Sequence, residues 1–74
     1  MDEYIKQQYT SAYGSYVPGE YAIEDQIATR HYVGTVIWSY NVPGKGLTYV
    51  VDTGSGFPVE AAANTVIVKR EGKS

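Results

Sequence analysis

The sequence predicts a small all-β domain of five strands with a short helix in front of it. Three observations support this prediction. The chain has 74 residues, enough for one domain. Its apolar residues fall into five strand-like runs, separated by turns that contain Gly or Pro. It has no cysteine, so packing or oligomerisation, and not disulfides or thiolate-bound zinc, must stabilise the thin core of so short a chain.

The helix is expected within an N-terminal segment over residues 1–18, which is helical or flexible. An apolar and tyrosine stripe recurs there at spacings of four, four and three residues, so its members share one helical face. Asp2 is in place to cap the N-terminus, and Gly14 is in place to end the helix. Because a helix of about 12 residues is marginal by itself, it forms only if the stripe docks on the rest of the domain. The stripe consists of Ile5, Tyr9, Tyr13 and Tyr16.

The strand-rich part is expected to span residues 19–70, and residues 71–74 are expected to form a disordered tail. The run over 32–40 has the strongest strand signal because it is rich in β-branched and aromatic residues. Pro58 cannot donate a hydrogen bond to a neighbouring strand, so the short strand that contains it lies at a sheet edge or a bulge. The predicted strands cover residues 21–24, 32–40, 47–53, 57–60 and 65–69.

The connections follow from local turn chemistry. Pro18 and Gly19 suit the central positions of a type II turn, because Pro fixes φ and Gly tolerates positive φ. Four later connections interrupt the strand pattern with Gly, Pro, Asn or Ala. They are loops over 25–31 and 41–46, a hairpin turn over 54–56 and one 3₁₀ turn over 61–64.

Four stretches of the chain combine strand residues with turn residues in a common pattern. They are Gly34-Thr35-Val36, Tyr49-Val50-Val51-Asp52, the turn Gly54-Ser55-Gly56, and residues 61–64 leading into Thr65-Val66-Ile67-Val68. With them the sequence resembles the superfamily of SH3-like barrels over roughly residues 19–70, which implies a five-stranded SH3-like barrel. Members of this superfamily bind proteins, nucleic acids or chromatin, and some are enzymes, so the fold leaves the function open.

A narrower similarity extends over Gly34 to Tyr40, residues 49–51 and residues 57–59, together with Ala61 and Ala62. These stretches are similar to the small dihydrofolate reductases of plasmids and integrons, which are SH3-like barrels that form a tetrameric pore. The Val-Gln-Ile-Tyr pore segment of that family falls near residues 54–57, where this chain reads Gly-Ser-Gly-Phe. No folate- or nicotinamide-binding residue carries over. An oligomeric reductase-like enzyme is therefore less favoured than a protein-binding module or a single-stranded nucleic-acid binder.

The charge and hydropathy of the chain narrow its partners and its location. A net charge of -2 and a pI near 5.1 disfavour a protein that wraps duplex DNA electrostatically. Basic residues cluster only at Lys69, Arg70 and Lys73. The N-terminus lacks the basic and apolar regions of a signal peptide, and no apolar run approaches the roughly 20 residues of a membrane span. We therefore expect a cytoplasmic protein without membrane contact.

The glycine-rich turns do not fit a phosphate-binding loop. A Walker A loop needs a glycine five residues before Gly44, and that position is Ser39. The residue after Lys45 is Gly46, where the motif has Ser or Thr. The turn at 54–56 lacks the third glycine and the following helix of a dinucleotide fingerprint. These glycines are expected to shape hairpins.

The titratable side chains indicate no catalytic or metal site. His31 is the only histidine, and Glu24 and Asp25 are the only carboxylates close to it in sequence, so we expect it in solvent on a loop. Asp52 and Glu60 lie on strands joined by a tight turn. We expect both to face solvent, because a domain this small rarely forms an acid-base cleft alone. The sequence therefore predicts a protein without enzymatic activity, cofactor or metal.

Aromatic residues are the unusual part of the composition, with eight Tyr, one Trp and one Phe. Val36, Trp38 and Tyr40 alternate onto one side of their predicted strand. A small barrel interior holds fewer aromatics than this, so several are at least partly exposed. They either cover the barrel ends and seat the N-terminal segment, or form a recognition surface or oligomer interface. The predicted interior is Val36, Tyr49, Val51, Val66 and Val68, and the predicted binding residues are Tyr21, Tyr32, Trp38 and Tyr40.

These observations predict a non-catalytic interaction module. It binds a protein partner, or copies of itself, through exposed Tyr and Trp side chains. The alternative is a single-stranded nucleic-acid binder that stacks bases on its aromatics, against which stands the lack of a basic groove. Short acidic chains of this kind are typical of accessory proteins of phages and mobile elements.

Overall fold

The protein is mostly β, with a curled antiparallel sheet that forms half of a barrel and one short N-terminal helix. The computed structural model describes residues 3–66 and 68–70. Within these residues no helix is long and apolar enough to cross a membrane. The elements are α1 (Glu3–Ala12), β1 (Gln26–Ala28), β2 (Val33–Val42), β3 (Gly46–Asp52), β4 (Val59–Ala62), a 3₁₀ helix (Ala63–Thr65) and β5 (Val68–Arg70).

The sheet order is β4-β3-β2-β1-β5, and neighbouring strands are antiparallel. Strands β1 to β4 follow one another as a meander, and the backbone of β5 lies beside β1. The last strand was expected over residues 65–69. Thr65 belongs instead to the 3₁₀ helix, and position 67 lies outside the described residues, as does the expected tail over 71–74. The predicted strand is therefore not shown over its predicted length.

The first strand differs from the prediction. Residues 21–24 are not a strand, and β1 lies in the part that was expected to be an irregular loop. A local turn explains the difference. The Asp25 side chain accepts a hydrogen bond from the Ala22 backbone N–H at 2.9 Å, and the Asp25 N–H donates to the Ala22 carbonyl at 3.0 Å. Glu24 has a φ of 81°, a left-handed conformation that ends any extended run.

The two long strands are confirmed, and three shorter predictions are displaced. Strand β2 continues to Val42, which lies opposite Gly46, so the expected loop over 41–46 is a turn over 43–45. Strand β4 and the 3₁₀ helix each begin two residues later than predicted. Pro58 consequently precedes β4, and β4 lies at an edge of the sheet.

A β-bulge in β2 decides which side chains lie on which face. Val36 lies opposite Val51, whereas Trp38 lies opposite Val50. The register thus advances by two residues along β2 but by only one residue along β3. Ile37 is the extra residue of the bulge. Because directly opposed residues share a face, the bulge places Val36 and Trp38 on opposite faces. The prediction that they point to the same side was wrong.

The concave face of the sheet holds the inner core. Val36, Tyr49 and Val51 are buried there as predicted, Val66 packs against them, and the side chain of Val68 lies outside the described residues. The buried residues of the inner core are Ile27, Val36, Tyr49, Val51 and Ala61.

The chain that links α1 to β1 covers the edge of β2 next to the bulge. Val17 donates its N–H to the Ser39 carbonyl at 2.9 Å, and the buried Ser39 hydroxyl donates to the Val17 carbonyl at 2.7 Å. Further along, the Glu24 N–H donates to the Val36 carbonyl, and the Val36 N–H donates to the Asp25 carbonyl. These bonds satisfy backbone groups that β1 leaves unpaired, because β1 reaches only as far as residue 35 of β2.

Gly34 allows the close approach of β3 in this curled sheet. A Cβ atom at this position would lie 2.7 Å from the Asp52 carbonyl oxygen and 2.5 Å from a methyl group of Val51. We expect Gly34→Ala to lower the free energy of unfolding by about 1–3 kcal/mol, because the backbone must shift to admit the methyl group. Urea unfolding followed by circular dichroism measures this. Asn41→Ala, at an exposed site on the same strand, is the control and should change stability by less than about 0.5 kcal/mol. Equal effects of the two substitutions would contradict the close packing at Gly34.

Candidate functional site

The four predicted binding residues lie on two different faces of the sheet. Tyr21 and Tyr32 are partly buried and pack against the inner core, and the Tyr21 ring meets the Tyr49 ring edge-on at 5.5 Å. Trp38 and Tyr40 lie on the outer, convex face and are only 1% and 8% exposed. The expectation that Trp38 and Tyr40 are exposed was therefore wrong.

Their burial results from the N-terminal segment, which lies on the outer face. Tyrosine rings contact Trp38 and Tyr40 at distances typical of favourable aromatic pairs. The Tyr9 and Tyr16 rings lie 5.4 and 5.2 Å from the Trp38 ring, and the Tyr13 ring lies 5.7 Å from the Tyr40 ring. The sequence allowed a helix here only if its stripe docked, and Tyr9, Tyr13 and Tyr16 make such contacts. We call Tyr9, Tyr13, Tyr16, Trp38 and Tyr40 the outer aromatic cluster.

A single hydrogen bond fixes the end of α1 to this cluster. The Trp38 indole Nε1–H donates to the Gly14 carbonyl oxygen at 2.9 Å. The chain turns away from the helix here, because Gly14 has a φ of 137°, a conformation that favours glycine. Among the described residues no buried side-chain nitrogen or oxygen lacks a hydrogen-bond partner. The indole bond thus completes the burial of Trp38 and sets the position of the helix end.

The pKa of Tyr40 is raised well above its ordinary value. Burial, followed by the hydrogen bond to Glu60 and the charge of Glu60, raises the pKa of Tyr40 to about 12. The Tyr40 hydroxyl donates that hydrogen bond to Glu60 Oε1 at 2.6 Å. Burial, Glu60 and Tyr9 also raise the pKa of Tyr13. Both hydroxyls therefore stay neutral near neutral pH, so the cluster acts through packing and hydrogen bonds.

A shallow cleft of about 640 Å³ lies beside the edge strand β4. One wall is the turn between β1 and β2, which the Thr29 N–H closes by donating to the Tyr32 carbonyl at 2.8 Å. The other wall is β4 and the 3₁₀ helix. We call this the β4 cleft. It is lined mainly by Arg30, His31 and Tyr32 on the first wall and by Ala61, Ala62 and Asn64 on the second.

Strand β4 runs along this cleft as an edge strand of the sheet. In the described part of the chain β4 pairs with β3 alone. Alternate residues of an edge strand direct their N–H and C=O groups away from the sheet. Ala61 is buried, so the accessible part of this edge is formed by Glu60 and Ala62. Thr65 occupies one acceptor, since its hydroxyl donates to the Ala62 carbonyl at 2.7 Å.

The carboxylates considered from sequence serve local structure. Asp52 accepts a hydrogen bond from the Gly54 N–H at 2.9 Å and shapes the β3–β4 turn, while Glu60 binds Tyr40. His31 is exposed on the wall of the β4 cleft, and Asp25 is engaged in its own turn. No group of three His, Asp or Glu side chains that could hold a metal ion occurs among the described residues.

No protein-family model, curated protein or solved structure matches this chain. Tyr32 was predicted from the sequence, whereas Ala61 and Ala62, which line the opposite wall of the β4 cleft, were not. The one signal for that wall was Pro58, which indicated an edge strand in this region.

Trp38 is expected to behave as a core residue. Trp38→Ala should lower the free energy of unfolding by about 3–5 kcal/mol, because it leaves a large cavity under α1 and removes the bond to Gly14. Thermal and urea unfolding measure the loss. The control is Phe57→Ala, since Phe57 is 79% exposed and should be replaceable with a change within about 0.5 kcal/mol. An unchanged melting temperature for Trp38→Ala would show that α1 does not cover this face in solution.

The Tyr40–Glu60 pair predicts a loss of stability at high pH. The pKa of Tyr40 is raised in the folded protein from 10.0 to about 12, so between these values the folded state binds the proton that the unfolded state has lost. This contribution to stability is complete below pH 10 and is lost as pH rises towards 12. One such proton gives a slope of up to about 1.4 kcal/mol per pH unit.

The comparison of wild type with Tyr40→Phe isolates this contribution. Tyr40→Phe should be less stable at neutral pH, because Glu60 loses its donor, but its stability should fall less steeply above pH 10. Urea unfolding across that range, with tyrosinate absorbance as the second measurement, gives both slopes. Parallel slopes for the two proteins would exclude Tyr40 as the titrating group.

Proposed function

We propose that this chain is a small non-catalytic interaction module with an SH3-like barrel, and that it binds an extended segment of a partner protein in the β4 cleft. Support for the barrel comes from the order of the elements, since four meandering antiparallel strands are followed by a 3₁₀ turn and a strand beside β1.

The observation that carries the proposal is an edge strand that faces a tyrosine across a shallow cleft. An extended segment that adds to a sheet edge gains affinity from main-chain hydrogen bonds and specificity from the side chains around it. In the β4 cleft, β4 supplies the edge and the half-buried Tyr32 supplies an aromatic surface. Arg30 and His31 are exposed at the rim and provide donors for polar groups of the partner.

The same geometry favours binding over catalysis. Glu60 is the one carboxylate among the residues that line the cleft, and its Oε1 already accepts the Tyr40 hydroxyl. The cleft is open to water, whereas acid–base and electrostatic catalysis gain from a site that excludes it. Base stacking by Trp38 or Tyr40 would require α1 to leave the outer face, so the nucleic-acid alternative is less well supported than protein binding.

The proposal is tested with peptides selected from a displayed library of short random sequences. Titration calorimetry should give binding to wild type and at least about tenfold weaker binding to Tyr32→Leu, which keeps apolar packing but loses the ring. Arg30→Ala, at an exposed position, tests the rim without affecting the core. Tyr4→Leu is the matched control on the exposed side of α1, where binding should stay unchanged.

Backbone pairing is tested on the peptide itself. N-methylation of alternate amides removes the N–H groups that face β4 in one register and spares them in the other. One of the two methylated series should lose binding while the other keeps it. Selected peptides whose affinity is equal for wild type and Tyr32→Leu, or for both methylated series, would rule out the β4 cleft as the binding site.

A further inference from the structure

The contact between α1 and the outer face is made by few side chains. No residue of α1 is buried, and its contact with the sheet is made mainly by the Tyr9 ring and by Tyr13 just after the last helical residue. The helix has ten residues, fewer than the roughly 12–15 that an isolated helix needs to be marginally stable. The helical state of α1 therefore depends on the face that it covers.

That face in turn depends on a helix above it. Trp38, Tyr40 and Val50 are buried on the outer side of β2 and β3. If α1 left, two large aromatic side chains would be exposed next to each other, and such a patch favours association. The occupant that best restores the buried state has one tyrosine in the last turns of a helix, a second tyrosine four residues later just after the helix, and then a free carbonyl for the Trp38 indole.

The connection to the rest of the chain allows α1 to move as a unit. From Val17 onward the chain is held on the edge of β2 by its two hydrogen bonds with Ser39. Only Ser15 and Tyr16 separate that anchor from Gly14. Gly14, with its φ of 137°, is free to adopt other backbone conformations. Gly14 and Ser15 thus form a hinge between Tyr16, whose ring packs on the Trp38 ring at 5.2 Å, and a helix with few contacts.

We propose that two copies of this chain form a dimer by exchanging α1, so that each helix covers the outer aromatic face of the other copy. Tyr9 and Tyr13 of one copy then meet Trp38 and Tyr40 of the second, and the Gly14 carbonyl accepts its indole N–H. The fit is the one already observed within the chain, because the occupant has the same residues. The dimer is two-fold symmetric. This self-association uses the outer face and is independent of the β4 cleft.

The hinge length sets the concentration at which exchange occurs. Within one chain α1 meets its own face at an effective concentration that is about millimolar for a short flexible connection. Because the contacts are the same in both states, the wild-type dimer should form at about 1 mM protein. Removing one hinge residue hinders docking within the chain and favours the dimer, whereas lengthening the hinge favours the monomer.

The test compares three hinges in the full chain by light scattering and NMR. Deletion of Ser15 should lower the dimer dissociation constant from about 1 mM to about 10 μM, and insertion of Gly-Ser-Gly-Ser after Ser15 should give a monomer even at about 1 mM. The matched control carries the same insertion between Gly54 and Ser55 and should dimerise like wild type. For the NMR measurement, isotope-labelled and unlabelled chains are unfolded together and refolded at about 1 mM.

The decisive signal is a nuclear Overhauser effect between the Tyr9 or Tyr13 ring of one isotopic species and the Trp38 indole of the other. Its presence in wild type, and its loss in the hinge insertion, support exchange. Wild type that stays monomeric at about 1 mM overturns the proposal. So does a dimer in which the Tyr–Trp contacts occur only within one isotopic species. If deletion of Ser15 prevents folding, wild type and the two insertions still decide between these outcomes.

Discussion

The bulge at Ile37 is the constraint on which the rest of the structure depends. An unbroken β2 would place Val36 and Trp38 on one face, and a sheet this small would have to bury both in the same interior. The extra residue sends Val36 inward and Trp38 outward. A bulge also strengthens the local twist of the bulged strand. The bulge thus accompanies the curl of the sheet. It also creates a second apolar face, which another segment of the chain must shield from water.

The N-terminal segment that covers the outer face accounts for much of the high tyrosine content of the chain. A chain of this length without cysteine has few ways to enlarge its core. Here both faces of the sheet bury apolar side chains, with a mixed aliphatic and tyrosine core on the concave face and a mainly aromatic cluster on the outer face. Tyrosine suits the outer face because its ring is apolar and its hydroxyl is polar. The rings of Tyr9 and Tyr16 pack on Trp38, and the hydroxyl of Tyr40 binds Glu60. The excess of tyrosine over other aromatics is therefore explained in large part by how α1 is attached.

The parts of the fold that sequence analysis predicted are those decided by local pattern. The long runs that became β2 and β3 combine β-branched residues with turn signals at both ends, and the four-residue spacing of Tyr9 and Tyr13 reveals a helix face. The bulge could not be predicted, because no Gly or Pro marks Ile37 and its alternation is that of a regular strand. The true position of β1 was hidden because the turn at Asp25 depends on a side-chain hydrogen bond.

The candidate sites were predicted less completely for a related reason. Exposure of Trp38 and Tyr40 was inferred from a surplus of aromatics over the interior of a single barrel, whereas their burial depends on which residues α1 covers. Tyr32 was found because it is large and aromatic. The opposite wall of the β4 cleft was missed because alanine carries no chemical signal, and its importance comes only from its place at the edge of a sheet.

The chain has one tryptophan, and it lies where α1 meets the sheet. Its emission spectrum therefore reports on this one contact without any label. A docked helix keeps the indole in an apolar, hydrogen-bonded setting, and departure of the helix would bring water to the ring and shift its emission to longer wavelength. The tyrosine rings within 5.4 Å of it can also transfer excitation to it. The protein thus contains its own optical probe of whether the N-terminal helix is in place.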